Sequence, residues 1–174
     1  TLHLLKKNEI ELIDFTQAIS DLKNKLFSCS SCGNIADEPI CSICLNPNRD
    51  HQTICVVEDI RDVMAIESTS AYKGIYHVLD GLISPLDGVG PQDLNIQVLI
   101  DKIANEEIKE IIFALSPTME GDTTNFYLFK KLQPYSPYIT TLSRGVAVGS
   151  ELQYTDELTL GRSLLQRQEF KINN

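Results

Sequence analysis

Apolar residues recur along this chain with two different periods. Between residues 9 and 27, Ile10, Ile13, Ala18, Ile19, Leu22 and Leu26 fall at mostly helical spacing among charged neighbours, which predicts an amphipathic helix with Lys23 and Lys25 on its solvated face. A polar, cysteine-containing stretch follows. From residue 53 the pattern becomes short apolar runs alternating with amphipathic segments: strand 53–58, helix 60–68, strand 74–79, helix 94–105, strand 110–115, helix 123–132 and strand 138–142. Strands that alternate with helices need crossover connections, so the expected fold is α/β, a four-stranded parallel sheet flanked by helices. The last stretch, Gly145 to Asn174, starts irregular and Gly-rich and then turns helical from Asp156 to Leu165.

One long connection interrupts the alternation, Asp80-Gly-Leu-Ile-Ser-Pro-Leu-Asp-Gly-Val-Gly-Pro91. A loop of this length inside a small domain is either functional or padding. Its glycines lack the following Lys-Ser or Lys-Thr of a phosphate-binding loop, which leaves ATP hydrolysis by that route unsupported.

Four of the five cysteines form Cys29-Ser-Ser-Cys32 and Cys41-Ser-Ile-Cys44, two CxxC pairs with eight residues between them. Each pair suits a tight turn that aims two thiolates at one point, and two such turns build the tetrahedral sulfur cage that zinc prefers. Asn34 to Pro39 and Asn46 to Asp50 are too poor in apolar residues to order themselves, so the metal is expected to supply local folding free energy. Four cysteines leave no open coordination position, which favours a structural zinc over a catalytic one. Paired disulfides and a dithiol redox site are the competing uses of this spacing. Cys55, in the apolar run Thr53-Ile-Cys-Val-Val57, is expected to be a buried small hydrophobe, and His51 is a substitute ligand only if a cysteine is not used.

Composition adds limits. The chain has 174 residues, 43% of them apolar, enough for a core, and no apolar run long enough to span a bilayer. Its start lacks the features of a signal peptide, and the expected location is the cytoplasm without membrane attachment. Thr1 opens directly on an apolar stretch without a capping residue, so an N-terminal piece is expected to precede it. The formal charge of −9 gives no global attraction to nucleic acid.

Ligands of a parallel sheet gather beyond the carboxyl ends of its strands, which singles out Glu58 with Asp59, Arg61 and Asp62, then Asp80, then Ser116-Pro-Thr-Met-Glu120-Gly-Asp122. The alternative for Glu58 and Asp59 is a negatively charged helix start, and for Asp122 and Thr123 it is an N-cap before Phe126 to Leu132.

Val56-Val-Glu58 followed by Ser116-Pro-Thr-Met-Glu-Gly-Asp122 resembles a Toprim domain, whose topoisomerase and primase members hold magnesium with a Glu after the first strand and an acidic pair after the third. Together with the four cysteines, Asn48-Arg-Asp-His51, Tyr76-His-Val-Leu79, Ser84-Pro-Leu-Asp-Gly-Val-Gly-Pro91 and Thr159-Leu-Gly-Arg162, nearly the whole chain resembles the RecR family of bacterial recombination mediators. The resemblance implies four parts: residues 1–28 as the remnant of an N-terminal helix-hairpin-helix region, 29–52 as a zinc finger, 53–145 as a Toprim domain and 146–174 as a C-terminal assembly segment. Against the topoisomerase pattern DPDxEGE, Ser116 and Thr118 replace two carboxylates. The expectation is therefore neither strand cleavage nor polymerisation, with magnesium bound weakly if at all.

What the resemblance implies is a non-enzymatic clamp and adaptor for DNA, working at the nucleoid in DNA repair. Its members form dimers or tetramers joined through N-terminal elements and C-terminal segments like Val146 to Phe170, and act with RecO and RecF so that RecA loads onto single strands covered by SSB. Glu58, Asp59, Glu120 and Asp122 become candidates for partner contact or weak magnesium binding. The zinc ligands are Cys29, Cys32, Cys41 and Cys44. The DNA-contacting hairpin is not in this chain, although Leu2-His-Leu-Leu5 resembles the helix after it. Asp80 stands where the family commonly has Gly. The contrasting expectation is a metal-dependent Toprim nuclease or topoisomerase-like enzyme.

Overall fold

The structure, a computed structural model, describes residues 6–143, 145–146, 149 and 151–165, with Lys23 and Asn24 as backbone only. Leu2 to Leu5, the Lys23 side chain and, within Val146 to Phe170, residues 147, 148, 150 and 166–170, on which expectations were placed, lie outside the described residues. Two units are present, one ending at Thr140 and one beginning at Thr141. In the second, helix α6 spans Glu157–Leu165, and the Asp156 carboxylate accepts from Thr159 N–H at 2.8 Å, capping a helix start where the pattern predicts one.

The first unit carries helices α1 (Glu9–Lys25), α2 (Ser42–Leu45), α3 (Ile60–Ser68), α4 (Ile96–Asn105) and α5 (Met119–Leu132) and strands β1 (Phe27–Ser28), β2 (Ile35–Ala36), β3 (Asp50–Val57), β4 (Gly74–Val78), β5 (Glu110–Phe113) and β6 (Tyr138–Thr141). The four-stranded sheet has the order β4-β3-β5-β6, with β3 parallel to both neighbours. Both faces of β3 are covered. Ile54 and Val56 pack with Leu99, Ile103, Leu128 and Leu132 of α4 and α5, while Cys55 and Val57 pack with Val63, Tyr76 and Val78 on the α3 side. Double coverage explains why Thr53 to Val57 is a continuous apolar run rather than an alternating one. Cys55 is a core residue as expected, its thiol pushed up to about 12 by burial.

Local chemistry sets the helix starts. Asn8 caps α1 with a reciprocal Glu11 contact, and Asp59 caps α3 with a reciprocal Asp62 contact. For α5 the expectation of Asp122 or Thr123 as the cap is corrected: Thr118 is the N-cap, its hydroxyl accepting from Gly121 N–H at 3.1 Å, and Asp122 lies inside the first turn. Helix α4 begins at Ile96 rather than at residue 94, because Pro91–Asp93 forms a separate 3-10 turn. Helix α1 leaves Ile10, Ile13, Ile19 and Leu22 all more than half exposed, so its apolar stripe has no cover among the described residues. Lys25 pairs with Asp21 at 2.6 Å.

The long connection is ordered. Ser84 and Val89 exchange backbone hydrogen bonds of 3.0 and 2.9 Å, and Thr124 of α5 accepts from Ile83 N–H at 2.9 Å. Asp80 takes φ of 65°, a left-handed conformation that Gly adopts freely and Asp tolerates. Arg49, just ahead of β3, forms a two-pronged pair with Glu67 of α3, and the Tyr76 hydroxyl donates to the same carboxylate at 2.6 Å.

His77 of β4 is fully buried. Its Nε2 lies 2.8 Å from the Asn95 carbonyl oxygen, which makes Nε2–H the donor, and Nδ1 has no partner. Burial pushes the imidazole down to about 4 from its ordinary 6.5, so the fold requires it neutral. Stability from neutral His77 is complete above pH 6.5, where the unfolded chain is also deprotonated, and is lost as pH falls towards 4. Urea unfolding should show a loss of about 1 kcal/mol between pH 7.5 and pH 5.5. His77→Gln, which keeps an N–H donor but does not titrate, should remove most of that slope. An unchanged slope would assign it to other groups.

Candidate metal centre and acidic cleft

The strands β1 and β2 pair antiparallel, Phe27 against Ala36 and Ser28 against Ile35, and the turn between them presents Cys29 and Cys32. The Cys29 carbonyl accepts from Cys32 N–H at 3.3 Å and Gly33 N–H at 2.8 Å, which curls the turn back on itself. Gly33 has φ of 76°, and a Cβ there would meet the Val78 carbonyl oxygen at 2.9 Å, so both conformation and space call for glycine. Cys41 is the N-cap of the short helix α2 and Cys44 lies within it. The ligand atoms of Cys29, Cys32, Cys41 and Cys44 all lie within 4.8 Å of one another.

These residues fit zinc on their own chemistry. All four donors are thiols and three of the four residues are buried, a closed set with no room for a substrate oxygen. Cys41 N–H donates to Cys29 Sγ at 3.3 Å, and such a bond to sulfur stabilises the thiolate a metal requires. The hydrogen bond shared by Cys32 and Cys44 raises the Cys32 thiol and lowers that of Cys44, while burial raises Cys41. The five cysteines are free, and the 3.6 Å between Cys32 and Cys41 sulfurs is well beyond the roughly 2.05 Å of a disulfide. His51 is not in the cluster; its Nε2 lies 3.1 Å from the Asn46 carbonyl oxygen.

The knuckle is fastened to the sheet. Val78 N–H of β4 donates to the Cys32 carbonyl at 2.7 Å, and Asn95 Nδ2 donates to the Val78 carbonyl at 3.2 Å. Ile43 packs against both the cysteine cluster and the α3-side core. Lys102 of α4 donates to Ser31 Oγ at 2.9 Å. Neither Lys102 nor Ser31 was singled out by the sequence, because a contact across 71 positions leaves no local pattern.

Beyond the carboxyl ends of β3 and β5 lies a cleft of about 390 Å³ lined by Glu58, Leu82, Ser84, Asp87, Val89, Ser116, Thr118 and Glu120. Of the four acidic candidates, it unites Glu58 and Glu120 only. Glu58 accepts from Ser116 Oγ at 2.9 Å. Asp59 is turned to the α3 cap and to Arg61, whose guanidinium holds its carboxyl below the usual range. Asp122 is exposed on α5. Asp87 is an addition, accepting from Ser84 Oγ at 2.6 Å, and the Ser-Pro-Leu-Asp-Gly turn sequence was the signal that could have found it. Among the described residues, only the four cysteines form a group of three or more His, Cys, Asp or Glu ligands close enough to hold one metal.

Three family models match: residues 26–46 a model described as the four-cysteine zinc finger domain of RecR, 52–142 the Toprim domain, and 145–168 the RecR C-terminal region. Curated relatives include proteins named Recombination protein RecR. That of Porphyromonas gingivalis is 53% identical over 97% of this chain and 82% of its own length. Those of Flavobacterium johnsoniae and Bacteroides thetaiotaomicron are 55% and 52% identical, over 98% and 97% of this chain and 82% of theirs.

Proposed function

This chain belongs to the RecR family of recombination proteins, and from that premise we propose that it is a non-catalytic mediator of recombinational DNA repair, a clamp and adaptor on DNA. It works at the nucleoid with RecO and RecF, assembles as a dimer or tetramer ring, and promotes RecA loading on single strands covered by SSB. Its parts divide as 1–28, 29–52, 53–145 and 146–174. Cys29, Cys32, Cys41 and Cys44 hold one zinc, which supplies a structural cross-link that the polar turns around it lack.

The observation that carries the non-catalytic reading is the use made of Ser116 and Thr118. At the two positions where catalytic Toprim relatives place carboxylates, one hydroxyl donates to Glu58 and the other caps α5. Both groups serve the fold, and a serine and a threonine bring no charge to a magnesium ion, which then binds weakly. Glu58 and Glu120 remain an acidic surface suited to a basic partner. Asp59, committed to its cap, and Asp122, outside the cleft, are weaker candidates for contact.

The second reading, a metal-dependent nuclease or topoisomerase-like enzyme, has one observation in its favour: Glu58 and Glu120 line a single cleft at the strand ends. A magnesium-dependent nicking assay on supercoiled DNA separates the two. The expected result is no nicking by the wild type, with DNA binding enhanced by partner proteins. Nicking that vanished in Glu58→Gln would establish the enzyme instead.

A further inference from the structure

We propose that Lys102 is a positioning residue for the metal centre: it compensates the charge of the zinc tetrathiolate from the Toprim side and fixes the loop that carries Cys29 and Cys32. The proposal goes beyond the family reading and rests on the assignment of zinc to the four cysteines. A divalent ion with four thiolates leaves a net negative charge in a mostly buried cage, and uncompensated charge away from water is costly. Besides the Cys41 N–H bond to Cys29 Sγ, a full positive charge is at hand on α4. The half-buried Lys102 ammonium hydrogen-bonds Ser31 Oγ at 2.9 Å, and Ser31 is the residue next to Cys32.

The ordinary use for a lysine in the last turn of a helix is to satisfy that helix's own carbonyl end. Here the ammonium crosses to another part of the chain instead. Among the described residues it makes no ion pair with a carboxylate. Leu99 and Ile103 of the same helix are buried in the core, so α4 holds the stem of Lys102 on a rigid base. Outer groups that orient metal ligands in this way typically change metal affinity 10- to 100-fold when removed, roughly.

The test is the rate of zinc release to a chromogenic chelator from the purified full chain, with circular dichroism confirming the fold. Lys102→Met, which keeps the apolar stem, should release zinc about 10-fold faster, and Lys102→Glu up to about 100-fold faster, while Lys102→Arg stays near the wild type. Wild-type release should quicken with salt, and Lys102→Met should lose that dependence. Wild-type release rates in Lys102→Met and Lys102→Glu would overturn the proposal. Should those variants fail to fold, the wild type and Ser31→Ala decide: salt-independent release together with an unchanged rate in Ser31→Ala also overturns it. A protein that purified without zinc would remove the zinc assignment and the proposal together, whereas equal retention by every variant would remove the lysine's role alone.

Discussion

Replacing Gly121 with alanine should lower the melting temperature by roughly 10 °C, the equivalent of about 3 kcal/mol for a chain of this size. The reason is geometric. A Cβ at Gly121 would lie 1.9 Å from the Ser116 carbonyl oxygen and 3.1 Å from its carbon. The obstacle is backbone, which cannot swing aside as a side chain does. Ser116 is held by its own bond to Glu58, and Gly121 N–H is held by the Thr118 cap, so relief requires α5 to back away from the turn after β5. That movement would uncover Leu128 and Leu132, both fully buried. Gly161 of α6 has open space around its missing Cβ and serves as the control, since alanine there should stabilise its helix by up to about 1 kcal/mol. Thermal unfolding of both variants by circular dichroism decides the matter, and a Gly121→Ala protein melting like the wild type would mean that α5 does not pack on Ser116 this closely.

Cys32→Ser should abolish zinc binding and release the knuckle. Hydrogen exchange read by mass spectrometry should then show protection lost across residues 29–46 and at Val78, whose N–H has only the Cys32 carbonyl as its partner on that side. The sheet should weaken by about 2–4 kcal/mol, from that bond and the share of Ile43 buried in both clusters. Protection at Ile54 to Val57 should persist, because α4 and α5 still cover Ile54 and Val56. Its collapse in the same step would show that knuckle and sheet unfold as one cooperative unit. Chelation of the wild type should reproduce the variant.

Much of this arrangement is legible in the sequence, and the reasons differ by residue. Helix α3 has the predicted bounds, Ile60 to Ser68, because its cap is local: Asp59 and Asp62 are three positions apart. The doubly covered strand announces itself through Thr53 to Val57, and the cysteines through their spacing. The start of α5 was hidden because its first buried residues are Gly121 and Thr124, not apolar ones, while Met119 is 81% exposed. Without an apolar face in its first turn, the helix shows in the pattern only from residue 123, four residues after its start at Met119. Helix α1 misleads in the opposite sense: its spacing is helical and its helix real, yet the stripe that normally implies a core faces outward in the described residues. The acidic candidates divided for the same reason as Lys102 went unnoticed. Strand order and loop folding, which put Glu58, Asp87 and Glu120 on one cleft and Asp59 elsewhere, are properties of pairing across the chain.

The hydrogen bond from Val78 to Cys32 has a further consequence. In the order β4-β3-β5-β6, β4 is an outermost strand, and its free side would otherwise offer unpaired amides to any extended segment nearby. The zinc turn occupies part of that side. Loss of the knuckle should therefore bare the Val78 amide on that side, while Ile75 stays in the cluster under α4 and α5 and Tyr76 in the cluster on the α3 side. Self-association through an added strand is then the expected result, with concentration-dependent light scattering after chelation as its signature.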